Sequence, residues 1–339
     1  MPNFWPVFKT FREASLLIER ASDPIQLGRW SLERIKLTDI EMYSEYIKAT
    51  EYPANLWSSN FPYLWASSQS NLREILWKVV GDMLVTFGHS HKNTLYLFCL
   101  PFGKGNPGQV VDVLHQCLQY CYDWNHQEKS RTLVRMANEC QLKFLRNCPE
   151  FEQLFQAVTL QGIERHFDIK KLAAIYGKDF RNIRSRVNKF TRENPDVIIR
   201  RYRTDDYDNL IELGNHWATA AEKRNLVVFD KVYYRELIKH CDALKHIILV
   251  FQKGPQIIGT VAGGELPTGQ AWGSIIKYEA GISGLSETLI IEFARELNRI
   301  NPALELMNVG SDLGTGGLRD YKLKFRPVLN LKRYQVFIQ

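Results

Sequence analysis

The sequence predicts an α+β protein made of two tandem units, each with a mixed, mostly antiparallel sheet. Three observations carry this. The chain has 339 residues, of which 45% are hydrophobic and 24% charged, enough for two domains of ordinary size and composition. Strand-like apolar runs cluster between residues 70 and 100, and again between 246 and 280. Each cluster leads through a glycine-bearing turn into an amphipathic helix and a further strand-like run.

The elements follow in order. DIEMYSEYIKAT reads as a short helix. NLREILWKVVGDMLVTFG and NTLYLFCLP read as strands, joined by the turn-rich HSHKN. PFGKGNPGQVVDVLHQCLQYCYDW reads as a strand end, a glycine-rich turn and a long helix. That turn matches G-x-G-x-x-G at Gly103, Gly105 and Gly108. Pro107 stiffens it, no βαβ repeat follows, and no acidic ribose partner ends a next strand, so a plain strand-to-helix turn is the better reading. EFEQLFQAVTLQGIERHFDIKKLAAIYG leads into the second half. We place the boundary near residue 160, giving units 1–160 and 161–339. Without a low-complexity linker between them, firm packing of the two is expected.

GKDFRNIRSRVNKFTRENP opens the second half. Phe180, Ile183, Val187 and Phe190 recur at helical spacing, while Arg181, Arg184, Asn188 and Arg192 share another face; Pro195 ends the helix. VIIRRY is a strand, and DYDNLIELGNHWATAAEKR and KVYYRELIKHCDAL are helices. KHIILVF, QIIGTVAGGEL and QAWGSIIKYEA are strands. SETLIIEFARELNRI is an amphipathic helix, ALELMNV a strand, GLRDYKLKF a short helix and KRYQVFIQ a closing strand.

Charge narrows the partners. The formal charge is +7. Residues 1–159 hold 16 Lys+Arg and 16 Asp+Glu, so the excess lies in the second half, which has 28 and 21. Residues 165–203 alone hold 12 basic and 4 acidic residues. Such concentration points to an anionic partner, whether nucleic acid, phosphate or lipid head group, and the alternative is a solvated face. No apolar run reaches the roughly 18–20 residues that span a bilayer, and the N-terminus lacks signal-peptide features. A cytoplasmic protein is expected, one that could sit at the membrane periphery. The six cysteines show no C-x-x-C; Cys117 and Cys121, with His115 nearby, read as helix core rather than a metal pair. No metal is expected.

The element order of the second half is that of the GNAT acyltransferase fold, and the first half resembles a degenerate copy. Three segments occur in sequence: GKDFRNIRSRVNKFTREN, WGSIIKYEAGISGLSETLIIEFA and MNVGSDLGTGGLRDYKLKFRP. With NLWSSNFPYLWA in the first half, they resemble the family of the phosphatidylglycerol lysyltransferase C-terminal domain. The D-L-G-x-x-G-L-R-x-x-K string from Asp312 to Lys322 is the most specific part. The resemblance implies two tandem GNAT-like domains. It also implies transfer of an aminoacyl group from aminoacyl-tRNA to a hydroxyl of phosphatidylglycerol or another lipid. Relatives often carry a membrane-spanning portion ahead of this domain, which is not seen here. Relatives commonly read Asn-Arg-Glu before the D-L-G string, where this chain has Asn308, Val309 and Gly310.

Acyl transfer from an ester needs a base for the acceptor and donors for the oxyanion. Asp312, at a strand end before a flexible turn, and Glu279, at another, are the proton-handling candidates; Asp312 could instead cap the turn or join a salt bridge. Arg319 and Lys322, three apart on a helix, could grip a phosphate or the tRNA 3′ end. Gly314, Gly316 and Gly317 allow close backbone approach, and Gly281 and Gly284 lie where a GNAT enzyme places its pyrophosphate loop. Lys178, Arg181, Arg184 and Lys189 are the candidates for phosphate contact, and Trp217 and Tyr278 for a cleft lining. No basic residue lies between Tyr278 and Gly284, which disfavours coenzyme A. The expected cofactor is therefore none, with aminoacyl-tRNA as donor substrate. The expected acceptor is an anionic lipid or a small molecule. The competing readings are a coenzyme A-dependent N-acetyltransferase and a catalytically inactive binding module.

Overall fold

The computed structural model describes residues 23–223, 228 and 230–339. The first half runs β1 (Ile25–Leu27), β2 (Trp30–Arg34), α1 (Ile40–Ala49), α2 (Phe61–Ser68), β3 (Arg73–Val80), β4 (Met83–Ser90), β5 (Leu95–Leu97), α3 (Pro107–Trp124), β6 (Leu133–Asn138), α4 (Glu139–Leu145) and α5 (Phe151–Leu154). The long β7 (Phe155–Asp168) carries the chain across. The second half runs α6 (Ile169–Ala174), α7 (Arg181–Glu193), β8 (Val197–Arg201), α8 (Tyr207–Glu222), α9 (Lys231–Lys239), β9 (His246–Lys253), β10 (Gln256–Glu265), β11 (Ala271–Tyr278), α10 (Leu285–Ile300), β12 (Leu306–Ser311), α11 (Gly316–Leu323) and β13 (Leu329–Ile338).

Local chemistry explains the element ends. Gly81, at φ +58°, turns β3 into β4 with Val80 paired to Met83, the tight hairpin that a left-handed residue permits. Asn106 caps α3 by accepting from Gln109 N at 3.0 Å, while the Gln109 side chain accepts from Asn106 N at 2.9 Å; Pro107 occupies the first helical position, where no donor is needed. Gly103 lies close to β4, where an added Cβ would meet the Asp82 carbonyl oxygen at 2.8 Å. The G-x-G-x-x-G match is thus a packed strand-to-helix turn. Ile183, Val187 and Phe190 of α7 are buried, as their spacing requires.

All thirteen strands among the described residues form one sheet, in the order β1-β2-β3-β4-β5-β6-β13-β7-β12-β11-β10-β9-β8. Helices cover both faces. One core packs the first half and continues under α8 and α9; the other lies under α6, α7 and α10. The connectivity repeats: β3-β4-β5-α3-β6 in the first half matches β9-β10-β11-α10-β12 in the second. Each half then sends its last strand to the other. β7 pairs with β12, from Leu306↔Asp168, and β13 pairs with β6, from Arg333↔Asn138 to Phe337↔Leu133. β7 and β13 pair with each other from Phe155↔Ile338 to His166↔Leu329. The boundary expected near residue 160 falls inside β7, and the two sequence halves are interlocked in space.

Candidate functional site

Parallel strands β11 and β12 pair at only two positions, Ala271↔Met307 and Trp272↔Asn308. Beyond these they part, and backbone groups there find side-chain partners instead: the Gly310 N–H donates to Asn308 Oδ1 at 2.8 Å. A segment of the first half seals the apex. Trp57 donates its Nε1–H to the Gly273 carbonyl at 3.1 Å and packs on Trp272, Tyr63 and Tyr233, with ring centroids 5.1, 4.9 and 6.1 Å away. Gly310 lies against the Trp57 ring and takes φ +70°, the left-handed backbone that glycine adopts without strain. The buried Glu164 carboxylate accepts from Trp57 N at 2.7 Å and from Asn308 Nδ2 at 2.6 Å. Asn308 also donates to the Asn55 carbonyl at 2.7 Å. Burial raises the Glu164 carboxyl, against the Asn308 and Trp57 bonds, which lower it.

Two residues expected at the chemistry lie inside the frame. Asp312 does not open onto a cleft. Its carboxylate is buried, accepts from Arg165 Nη2 at 2.8 Å, Ile163 N at 2.9 Å and Gly314 N at 3.2 Å, and so ties the end of β12 to β7. Burial would raise its carboxyl, but Arg165 and the two backbone donors outweigh that and hold it below the ordinary value. Lys322 is turned inward as well. Its Nζ donates to the carbonyls of Val309, Gly310 and Ser311 at 2.6, 2.9 and 2.9 Å, so no proton is left for a phosphate. Burial brings this ammonium down to about 7, although Glu164 and Asp312 pull the other way. Arg319, by contrast, is 56% exposed, with Asp320 3.6 Å away. Three residues from the inward-turned Lys322 on the same helix, it stays in solvent, so the two do not form a joint grip. Gly314, Gly316 and Gly317 are exposed beside it, at the start of α11.

Glu279 stands where β11 ends, 29% exposed, with His216 Nδ1 of α8 at 3.6 Å. This carboxylate and imidazole lie together on the open side of the β11 end. Next to it Lys277 is buried. Its Nζ pairs with Asp230 at 2.8 and 3.0 Å and lies 3.5 Å from the Trp217 ring centroid, so Trp217 stacks on a cation rather than filling core. Burial lowers the Lys277 ammonium, against the attraction of Asp230. The Tyr278 side chain is half-buried against the core under α10.

The two basic stretches meet. Arg186 of α7 and Lys324 beyond α11 both reach Glu287 Oε1, at 3.4 and 3.6 Å. Arg326 approaches the Asp179 carbonyl at 3.4 Å. Lys178, Arg181, Lys189, Arg319, Lys324 and Arg326 are exposed on or beside this face. Arg184 departs from the expectation: its Nη1 donates to the carbonyls of Ile175 and Gly177 at 2.5 and 2.9 Å, fixing the approach to α7. Gly284 departs too. At φ +79° it is buried, with the Arg186 carbonyl oxygen against the place a Cβ would take, so α10 starts seated on α7. Gly281, at φ +89°, is open.

Sequence reasoning missed Glu164, Arg165 and Asp230, whose partners are remote in the chain. It also missed His216, which only a helical register facing β11 would bring to Glu279. Among the described residues no group of His, Cys, Asp and Glu could hold a metal ion, and no helix is long and apolar enough to cross a membrane.

Residues 58–337 match the family described as phosphatidylglycerol lysyltransferase, C-terminal. No curated protein matches the sequence. Among solved structures, a conserved protein of unknown function from Bacteroides thetaiotaomicron superposes with a TM-score of 0.77 at 19% identity, covering 91% of this chain and 99% of that one. L-PGS from Bacillus licheniformis gives 0.63 at 16% identity, over 90% and 92%. A tandem GNAT protein from the clavulanic acid biosynthesis pathway gives 0.50 at 9% identity, over 90% and 98%. The fold is thus tandem GNAT-like, as the element order predicted.

Proposed function

The chain belongs to the phosphatidylglycerol lysyltransferase C-terminal family, and from that premise we propose that it transfers an aminoacyl group from aminoacyl-tRNA to a hydroxyl of a lipid or small-molecule acceptor. The observation that carries the reading is the joining of the two basic stretches, α7 and the segment after α11, into one surface beside the parted strands β11 and β12. A polyanion needs such a field, and phosphates need charge more than sequence-specific contacts. Arg319, exposed beside the open glycines of α11, is the group free to hold a phosphate there. Glu279, paired with His216, takes the proton of the acceptor hydroxyl. Asp312 and Lys322 hold the β12 turn in position and touch no substrate.

Coenzyme A is the weaker donor. Its pyrophosphate would need the loop before α10, where Gly284 is closed against α7, residues 279–284 carry no basic side chain, and the neighbouring Arg186 and Lys324 are engaged with Glu287.

The test is binding of bulk aminoacyl-tRNA and of acetyl-coenzyme A, side by side, across a salt series. Salt-sensitive tRNA binding without coenzyme A binding is expected. Coenzyme A binding alone would replace the donor, and binding of neither would leave a binding module without this chemistry.

A further inference from the structure

The first half carries a second cluster of cations, away from the basic surface and from the cleft. Arg73 of β3 and Arg135 of β6 lie on one face of the sheet, with Tyr96 of β5 and Phe98, the residue after it, between them. The register puts them there: Arg73 pairs with Ser90 and Ile75 with Gly88, Gly88 pairs with Tyr96, and Leu97 pairs with Val134 on the opposite face. Gly88 is required, because a Cβ there would fall inside the Tyr96 ring, which lies flat across β4. Both guanidiniums sit over the same Phe98 ring, 6.0 Å and 5.5 Å from its centroid. Arg135 Nη1 donates to the Tyr96 hydroxyl at 3.3 Å, and Arg73 has the same hydroxyl as a neighbour.

Among the described residues neither arginine pairs with a carboxylate, and Arg73 Nη1 is buried with no hydrogen-bond partner. Glu74, the adjacent acid, is engaged instead with Arg34 and His89. Burial and the charge of Arg135 both weaken the hold of Arg73 on its proton, yet a guanidinium stays charged at any ordinary pH. Two like charges are therefore held together, partly desolvated, beside an aromatic platform. That arrangement is costly alone and is relieved by an anion that takes the unused forks.

The place in the fold gives the cluster a meaning. Parallel strands β5 and β6 pair at one position only, Leu97↔Val134, and then part as β11 and β12 do. The arginines border the first half's counterpart of the second half's cleft. Phe98 leads onward to Tyr63 at 6.2 Å, and Tyr63 to Trp57 at 4.9 Å, the residue that seals the second cleft.

We propose that Arg73, Arg135 and the Tyr96 hydroxyl form an oxyanion-binding site in the first half that takes the phosphate group of a phosphoester ligand. The forks of two guanidiniums suit a tetrahedral phosphate, and the rings of Tyr96, Phe98 and Tyr63 suit the organic part of the ligand. The site stands independently of the donor assigned above, because its test reads binding and not transfer.

The experiment is calorimetric titration of the full chain with inorganic phosphate, glycerol 3-phosphate and dihexanoyl phosphatidic acid below its micellar concentration. The chain is expected to bind all three. Arg73→Gln and Arg135→Gln should each weaken binding by about tenfold or more, the effect of losing charge-assisted hydrogen bonds. Arg135→Lys, which keeps the charge and the fold but loses the fork, should fall between, and Lys48→Ala, at an exposed position of α1, should change nothing. Tighter binding of the short-chain lipid than of glycerol 3-phosphate identifies a lipid head group as the source, and equal binding a soluble phosphoester. Absence of phosphate binding, or phosphate binding kept unchanged by both glutamine variants, overturns the proposal.

Discussion

Replacing Asp312 with Asn separates a structural carboxylate from a catalytic one. The wild-type side chain is 3% exposed and that of Arg165 10%. Asn keeps an acceptor for Ile163 N and Gly314 N but removes the charge that meets Arg165 at 2.8 Å. Breaking a buried ion pair from one side costs about 3–5 kcal/mol. Arg165 retains a second acceptor, Asn330 Oδ1 at 2.6 Å, so the lower end applies, about 3 kcal/mol. With a urea slope of about 3 kcal/mol/M, the midpoint should fall by about 1 M at pH 7. The pH dependence has a definite sign. The folded carboxyl titrates below its ordinary value of 3.8, so its stabilisation is fully present above the unfolded pKa and is lost as pH falls through the folded one. The gap between the two proteins should therefore hold from pH 7 to 5 and close below about pH 4. Transfer by the folded variant should stay within a few-fold of wild type. Unchanged stability together with abolished transfer would refute this reasoning and return Asp312 to the chemistry.

Three further outcomes are expected. Gly284→Ala should lower stability by about 1–3 kcal/mol, because a Cβ meets the Arg186 carbonyl and φ is +79°; a thermal melt unchanged from wild type would contradict the seating of α10 on α7. Lys322→Met should alter the pH profile: the lysine falls to about 7 in the folded chain against about 10.4 unfolded, so wild type gains stability relative to the variant as pH rises from about 7 toward 10. Parallel urea midpoints at pH 6.5, 8 and 9.5 would count against that burial. Reversing Arg181 and Lys189 to Glu should flatten the salt dependence of tRNA binding by at least about 0.7 per lost phosphate contact; an unaltered slope would remove α7 from the interface.

Local signals in the chain explain what could be read from it. The strand runs, the helix spacing of Ile183, Val187 and Phe190, and the Asn106–Gln109 cap all act over a few residues, and each element they indicate is present. Arg165 and Asp312 are 147 residues apart, and no local pattern announces their pairing. Lys322 misled for a related reason. A lysine beside Arg319 in a basic run reads as a solvent group, but three carbonyls at the end of β12 draw it inward. Arg184 is likewise claimed by the carbonyls of a turn. The position of Glu279 at a strand end was legible from the apolar run before it, whereas the approach of His216 was not, since its helix had to be docked first.

The exchange of last strands bears on how the protein can be made. β6 is complete once residue 138 has been synthesised, but its neighbour β13 is not available until residue 338 has been added. Through most of translation the sheet edge at β6 stays open, and β7 waits for both β12 and β13. Closure is therefore a late, long-range event, of the kind that slows folding. A nascent chain stalled before residue 329 would expose two unpaired edges, a template for joining with another such chain. The ten-residue strand β13 decides whether either half is finished.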